Sequence, residues 1–135
     1  MSLLDEIRRH EGFRAKPYRD TEGKLTVGYG TLLEDGISRE EADAMLRIRL
    51  RVMVDELRKS PVRDTFDALP ASVQDAIKNM AYNLGVPRLL LFRKMWAALA
   101  RHDYRAAAAE ALDSKWARQV GVRADDIAGE SRRGQ

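Results

Sequence analysis

One block of the chain breaks its helical patterning and limits what the rest can become. From Arg14 to Gly36 the sequence holds four glycines and two tyrosines, with β-formers gathered at Leu25-Thr26-Val27. Inside it, Asp20-Thr21-Glu22-Gly23 has the Asp-first, Gly-last composition of a tight turn. The block therefore reads as a small antiparallel sheet.

Helical spacing flanks it on both sides. Ser2 with Asp5 marks a capped start, Leu3, Leu4 and Ile7 form an apolar stripe to about His10, and Gly12 closes the segment. Ser38-Arg39-Glu40-Glu41 is a capping box, followed by Ala42, Met45, Leu46, Met53 and Leu57 at helical intervals as far as Lys59, where Ser60-Pro61 stops the run. Further helices are predicted around Asp64 to Ala68 and from Pro70 to Leu84, the latter turning Val73, Ile77, Met80 and Leu84 inward with Gly85 as its C-cap. Pro87 separates the next pair, Phe92 to Arg101 and Tyr104 to Leu112, and a short turn near Trp116 follows. One helix, a small sheet, a long helix and a helical bundle make a minor β lobe joined to a major α lobe, with a cleft as the natural place for a site.

Composition narrows the chemistry. The 135 residues are 44% apolar and 33% charged, enough to bury a core without staples. With no cysteine there is no disulfide scaffold, thiol nucleophile or thiolate metal site, and a reducing compartment is expected. The sequence begins without a basic leader and apolar core, and no stretch approaches a membrane span. A net charge of +3 favours an anionic partner without choosing one.

Hydrolysis of a glycosidic bond takes two carboxyl groups, one donating a proton to the leaving oxygen and one assisting water or the charged sugar. Glu11, where the first helix gives way to the sheet, and Asp20, in the first hairpin turn, are candidates with eight residues between them. Thr26, after five more, lies on the returning strand, where its hydroxyl can orient a water held by Asp20. Singly these are an ordinary helix-end carboxylate, turn residue and strand residue. The combination carries the reading.

The motifs His10-Glu11-Gly12-Phe13-Arg14, Pro17-Tyr18-Arg19-Asp20-Thr21-Glu22-Gly23 and Leu25-Thr26-Val27-Gly28-Tyr29-Gly30 together resemble the phage-type lysozymes, the endolysins of tailed bacteriophages. The likeness continues more faintly through Asn79 to Gly85, Phe92 and Ser114-Lys115-Trp116. It implies one two-lobed, lysozyme-like α+β domain over residues 1–135. The β lobe would span about 12–37, the connecting helix about 39–59 and the helical lobe about 61–135, with the first helix packed on that lobe. It implies a bacteriolytic muramidase cutting the β-1,4 link between N-acetylmuramic acid and N-acetylglucosamine, without metal or cofactor. Glu11 would be the general acid, Asp20 the water-activating carboxylate and Thr26 the water-positioning hydroxyl, with inversion at the anomeric carbon. Gly28, Tyr29 and Gly30 would floor the cleft, and Arg123 and Trp116 would also meet substrate. Thr31 departs from the pattern where many members carry histidine, and the segment from Thr31 to Ser38 is short.

Peptidoglycan is the expected partner of a monomer held in the host cytoplasm until a separate protein opens the membrane. Three rivals stand beside this. A lytic transglycosylase would use the glutamate but form an anhydro end, which Asp20 with Thr26 argues against. A non-catalytic wall-binding relative would not need the three residues intact. A nucleic-acid module is hinted at by Arg47, Arg49 and Arg51, but alternate residues of a helix point about 200° apart and form no phosphate-facing stripe.

Overall fold

The computed structural model describes residues 2–112. Among these are seven α-helices and one three-stranded antiparallel sheet, the α+β composition of a lysozyme-like fold. The chain divides into two compact units after Met45.

In the first unit, α1 (Leu3–Glu11) begins on the expected capping box: Ser2 Oγ accepts from Asp5 N at 3.1 Å and Asp5 Oδ2 accepts from Ser2 N. Gly12, at φ 71°, ends the helix with its N–H on the Arg8 carbonyl and turns the chain into β1 (Arg14–Arg19). β2 (Leu25–Gly28) is the central strand, antiparallel to β1 and to β3 (Thr31–Leu32). Tyr18 opposes Thr26, Arg19 opposes Leu25, and Thr26 opposes Leu32 across the other ladder. The β1–β2 register slips between Arg14 and Tyr18, the stretch that holds Pro17. Proline cannot donate to a ladder, so it is accommodated at an edge strand or irregularity, and β1 supplies both. A 3-10 turn at Leu33–Asp35, absent from the sequence expectation, leads to Ser38.

The capping box at Ser38 forms as expected: Ser38 N donates to Glu41 Oε1 at 2.9 Å and Glu41 N to Ser38 Oγ at 3.1 Å, starting α2 (Arg39–Arg58). The apolar spacing along α2 does not translate into uniform burial. Leu57 is fully buried and Met53 half-buried, whereas Met45 and Leu46 are exposed.

All the buried apolar side chains among the described residues lie from Leu57 onward. They come from α2, α3 (Arg63–Asp67), α4 (Ala71–Leu84), α5 (Val86–Leu89), α6 (Arg93–Ala100) and α7 (Tyr104–Leu112), together with the loop residue Leu69. Val73, Ile77 and Met80 turn inward on α4 as the spacing predicts, Leu84 is half-buried, and Gly85 caps the helix with its N–H on Ala81 O. Pro87 does not separate helices; it sits in the first turn of α5, where a missing N–H costs no helical bond. Trp96 is buried with its indole N–H donating to Leu89 O at 3.0 Å, tying α6 to the end of α5. Buried alanines Ala98, Ala107, Ala108 and Ala111 leave α6 and α7 without bulky side chains at these positions. Among the described residues no helix is long and apolar enough to cross a membrane.

Candidate active site

Asp20 is built into a turn that holds one of its two carboxylate oxygens. Oδ1 accepts backbone N–H bonds from Glu22 at 2.9 Å and Lys24 at 2.8 Å, while the Asp20 N–H donates to Lys24 O at 2.9 Å and Gly23 N donates to Asp20 O. Aspartate suits this place because its short side chain reaches the backbone two residues on. Gly23 supplies the positive φ of 80° that the turn needs, and Arg19 fixes its far side through a 2.9 Å bond to Gly23 O. Asp20 is half-buried, and Oδ2 has no hydrogen bond among the described residues.

Thr26 belongs to the same construction. It is 2% exposed, and its Oγ1 donates to Lys24 O at 3.0 Å. The Lys24 backbone thus serves both residues: its N–H holds Asp20 and its carbonyl takes the Thr26 proton. With that proton committed, the lone pairs of Oγ1 remain as acceptors. Lys24 is not legible as a site residue in the sequence because its contribution is two backbone atoms; only the Asp-to-Gly turn composition signals it. The Lys24 side chain lies 3.9 Å from both Glu22 and Glu34, exposed pairs of small energetic weight.

Glu11 reaches the sheet from the other direction. It is the last residue of α1, and its Oε2 lies 2.8 Å from where a Cβ on Gly30 would stand, with Cδ at 3.3 Å. Gly30 is in the turn between β2 and β3 at φ 82°. The helix-end carboxylate is therefore set against the turn that returns the central strand. Glu11 is exposed. No hydrogen bond or ion pair holds its carboxylate among the described residues.

Of the expected cleft-floor residues, Gly28 has φ 68° and pairs with Arg14, Gly30 carries the Glu11 contact, and Tyr29 is exposed with its ring 5.6 Å from that of Phe13 at a 52° tilt. Phe13, 64% exposed two residues after Glu11, completes an aromatic pair that the sequence analysis did not assign to the site. Arg123 and Trp116 lie outside the described residues. An open groove of about 440 Å³ is lined by Phe13, Val27, Thr31, Ile37 and Met45 among others. None of Glu11, Asp20 and Thr26 lines it, as expected for side chains of Val27 and Thr26 on opposite faces of β2. Thr31, opposite Val27, lines that groove.

The family model of the phage lysozymes matches residues 8–134. The pre-baseplate central spike protein Gp5 of Enterobacteria phage T4 is 29% identical over 94% of this chain, which spans 27% of that protein. A probable T4-type lysozyme of Dictyostelium discoideum is 23% identical, with 93% of this chain and 91% of the relative covered. An endolysin of Acyrthosiphon pisum secondary endosymbiont phage 1 is 30% identical over 83% of this chain and 75% of its own length. With nearly its whole length matched and the helical and sheet elements in place, the chain belongs to the phage lysozyme family, a family of glycoside hydrolases that act on peptidoglycan.

Proposed function

We propose that this protein is a muramidase that cleaves the β-1,4 bond between N-acetylmuramic acid and N-acetylglucosamine, serving a bacteriophage or prophage in host lysis or wall penetration. The observation that carries the reading is the Lys24 backbone bridge. It holds Asp20 by one oxygen, leaves Oδ2 open, and spends the Thr26 proton so that the hydroxyl accepts. A water taken between these acceptors is oriented by both and activated by one.

Glu11 donates the proton to the glycosidic oxygen as the bond opens toward an oxocarbenium-like state. Asp20 takes a proton from the water, whose oxygen bonds to the anomeric carbon. Attack opposite the leaving group inverts that carbon. The exposed Phe13–Tyr29 pair and the glycines of the β2–β3 turn supply an aromatic surface and close backbone approach for sugar rings.

The test is digestion of purified peptidoglycan by the wild type and Glu11→Gln, with products identified by mass and anomeric configuration followed by NMR. Clearing by wild type alone, with reducing muramic acid ends that appear first as the α anomer, is the expected result. Anhydro ends would assign a lytic transglycosylase instead, and no clearing on several wall types would leave a wall-binding relative.

A further inference from the structure

Gly30 entered the site as cleft floor, yet its geometry assigns it a different task. Two independent constraints act there. Its φ of 82° lies where L side chains are strained, and a Cβ at that position would stand 2.8 Å from Glu11 Oε2 and 3.3 Å from its Cδ. Gly12, Gly23, Gly28 and Gly36 also have positive φ, but a Cβ on any of them meets nothing within 4 Å. Among these five glycines of the first unit, only Gly30 faces a functional side chain.

We propose that Gly30 is a positioning residue: the space left by its missing side chain is the seat of the Glu11 carboxylate. The inference rests on the reading of Glu11 as the acid. Among the described residues the carboxylate has no hydrogen bond or ion pair, and the turn at Gly30 is what it stands against. Oε2 is the oxygen turned toward Gly30. A methyl group at Gly30 needs ordinary contact distance, so the carboxylate must retreat by roughly half an ångström or swing to another rotamer. Because the obstructed atoms end a flexible side chain, the fold can absorb the methyl while the acid loses its aim.

The test compares Gly30→Ala with Gly36→Ala, which imposes left-handed strain at φ 71° with no neighbour to displace. Both variants should lose a few degrees of Tm. Only Gly30→Ala should lose kcat, by about tenfold to a hundredfold, with KM little changed, because misplacing a reacting group by a fraction of an ångström acts on the barrier. Its pH–kcat profile should also move, whereas that of Gly36→Ala should not. Gly30→Asn separates strain from contact: asparagine tolerates the left-handed region but still carries a Cβ, so Tm should recover while the kcat loss persists. Wild-type kcat in Gly30→Asn would overturn the proposal, as would equal kcat losses in Gly30→Ala and Gly36→Ala. Glu11→Gln is measured alongside: if it retains turnover the acid assignment itself fails, whereas an inactive Glu11→Gln with a fully active Gly30→Asn refutes only the seat.

Discussion

Thr26 permits an experiment in which stability and activity part company. Thr26→Val removes the hydroxyl that donates to Lys24 O at 3.0 Å but leaves side-chain volume almost unchanged. The Lys24 carbonyl keeps its 2.9 Å bond from Asp20 N, so no buried acceptor is stranded and the net cost is that of one hydrogen bond, about 1 kcal/mol. For a chain of this size that corresponds to a Tm loss of roughly 3–5 °C. Thr26→Ser keeps the hydroxyl and deletes a methyl from a site 2% exposed, which also costs about 1 kcal/mol. The two variants should therefore melt together and differ in catalysis. Thr26→Val should lose about a hundredfold in kcat, the lower end of what a misplaced proton-transfer partner costs, while Thr26→Ser stays within a few-fold of wild type. The assay is reducing-end release from solubilised peptidoglycan beside thermal melts. Equal activity in the two variants would show that the hydroxyl only braces the Lys24 turn and would refute its role in holding water.

Asp20→Asn should keep both N–H bonds to Oδ1 and an unchanged Tm by calorimetry, yet lose about 10²- to 10⁴-fold in turnover because the amide cannot act as the base. Leu57→Ala empties a fully buried position and should cost roughly 2–5 kcal/mol in denaturant titration. At the start of α2, the Ser38 backbone N–H, and after it the Ser38 side chain, hold the Glu41 carboxyl below its ordinary value of 4.5. A depressed folded-state value means stability fully present above the unfolded-state value and lost as pH falls through the folded one. The Tm advantage of wild type over Glu41→Ala should hold near neutrality and disappear in acid below the usual carboxylate range.

Much of this was legible because local rules agreed. The capping boxes at Ser2 and Ser38 formed as read, and both glycine stops, Gly12 and Gly85, ended their helices. The hairpin turn at Asp20 was visible because Asp and Gly have few other reasons to stand at those positions. What escaped was nonlocal or carried by backbone. Lys24 works through its peptide, Gly30 through an atom it lacks, and Phe13 through a ring partner sixteen residues away at Tyr29. Pro87 was misjudged because proline both ends and begins helices, and only Gly85 turning the chain just ahead of it decides for a beginning.

Local rules failed most plainly on β2, where Leu25 is 40% exposed and its neighbour Thr26 is 2% exposed. Alternation alone would bury the leucine's face, since a buried hydroxyl must find a partner and a buried leucine need not. Among the described residues of the first unit, no apolar side chain is buried to the degree of this threonine. That inversion leaves Leu25 on the more solvated face of the strand. It places a hydroxyl, already bonded to Lys24 O, beside the turn that holds Asp20. Sequences specify a fold by agreement across levels, and a position that breaks the agreement while every polar atom stays paired marks where function overrides packing. Exchanging the two residue types on this strand should therefore lose turnover in reducing-end release and lower Tm as well, because leucine at position 26 overfills a closed site and removes the bond to Lys24 O.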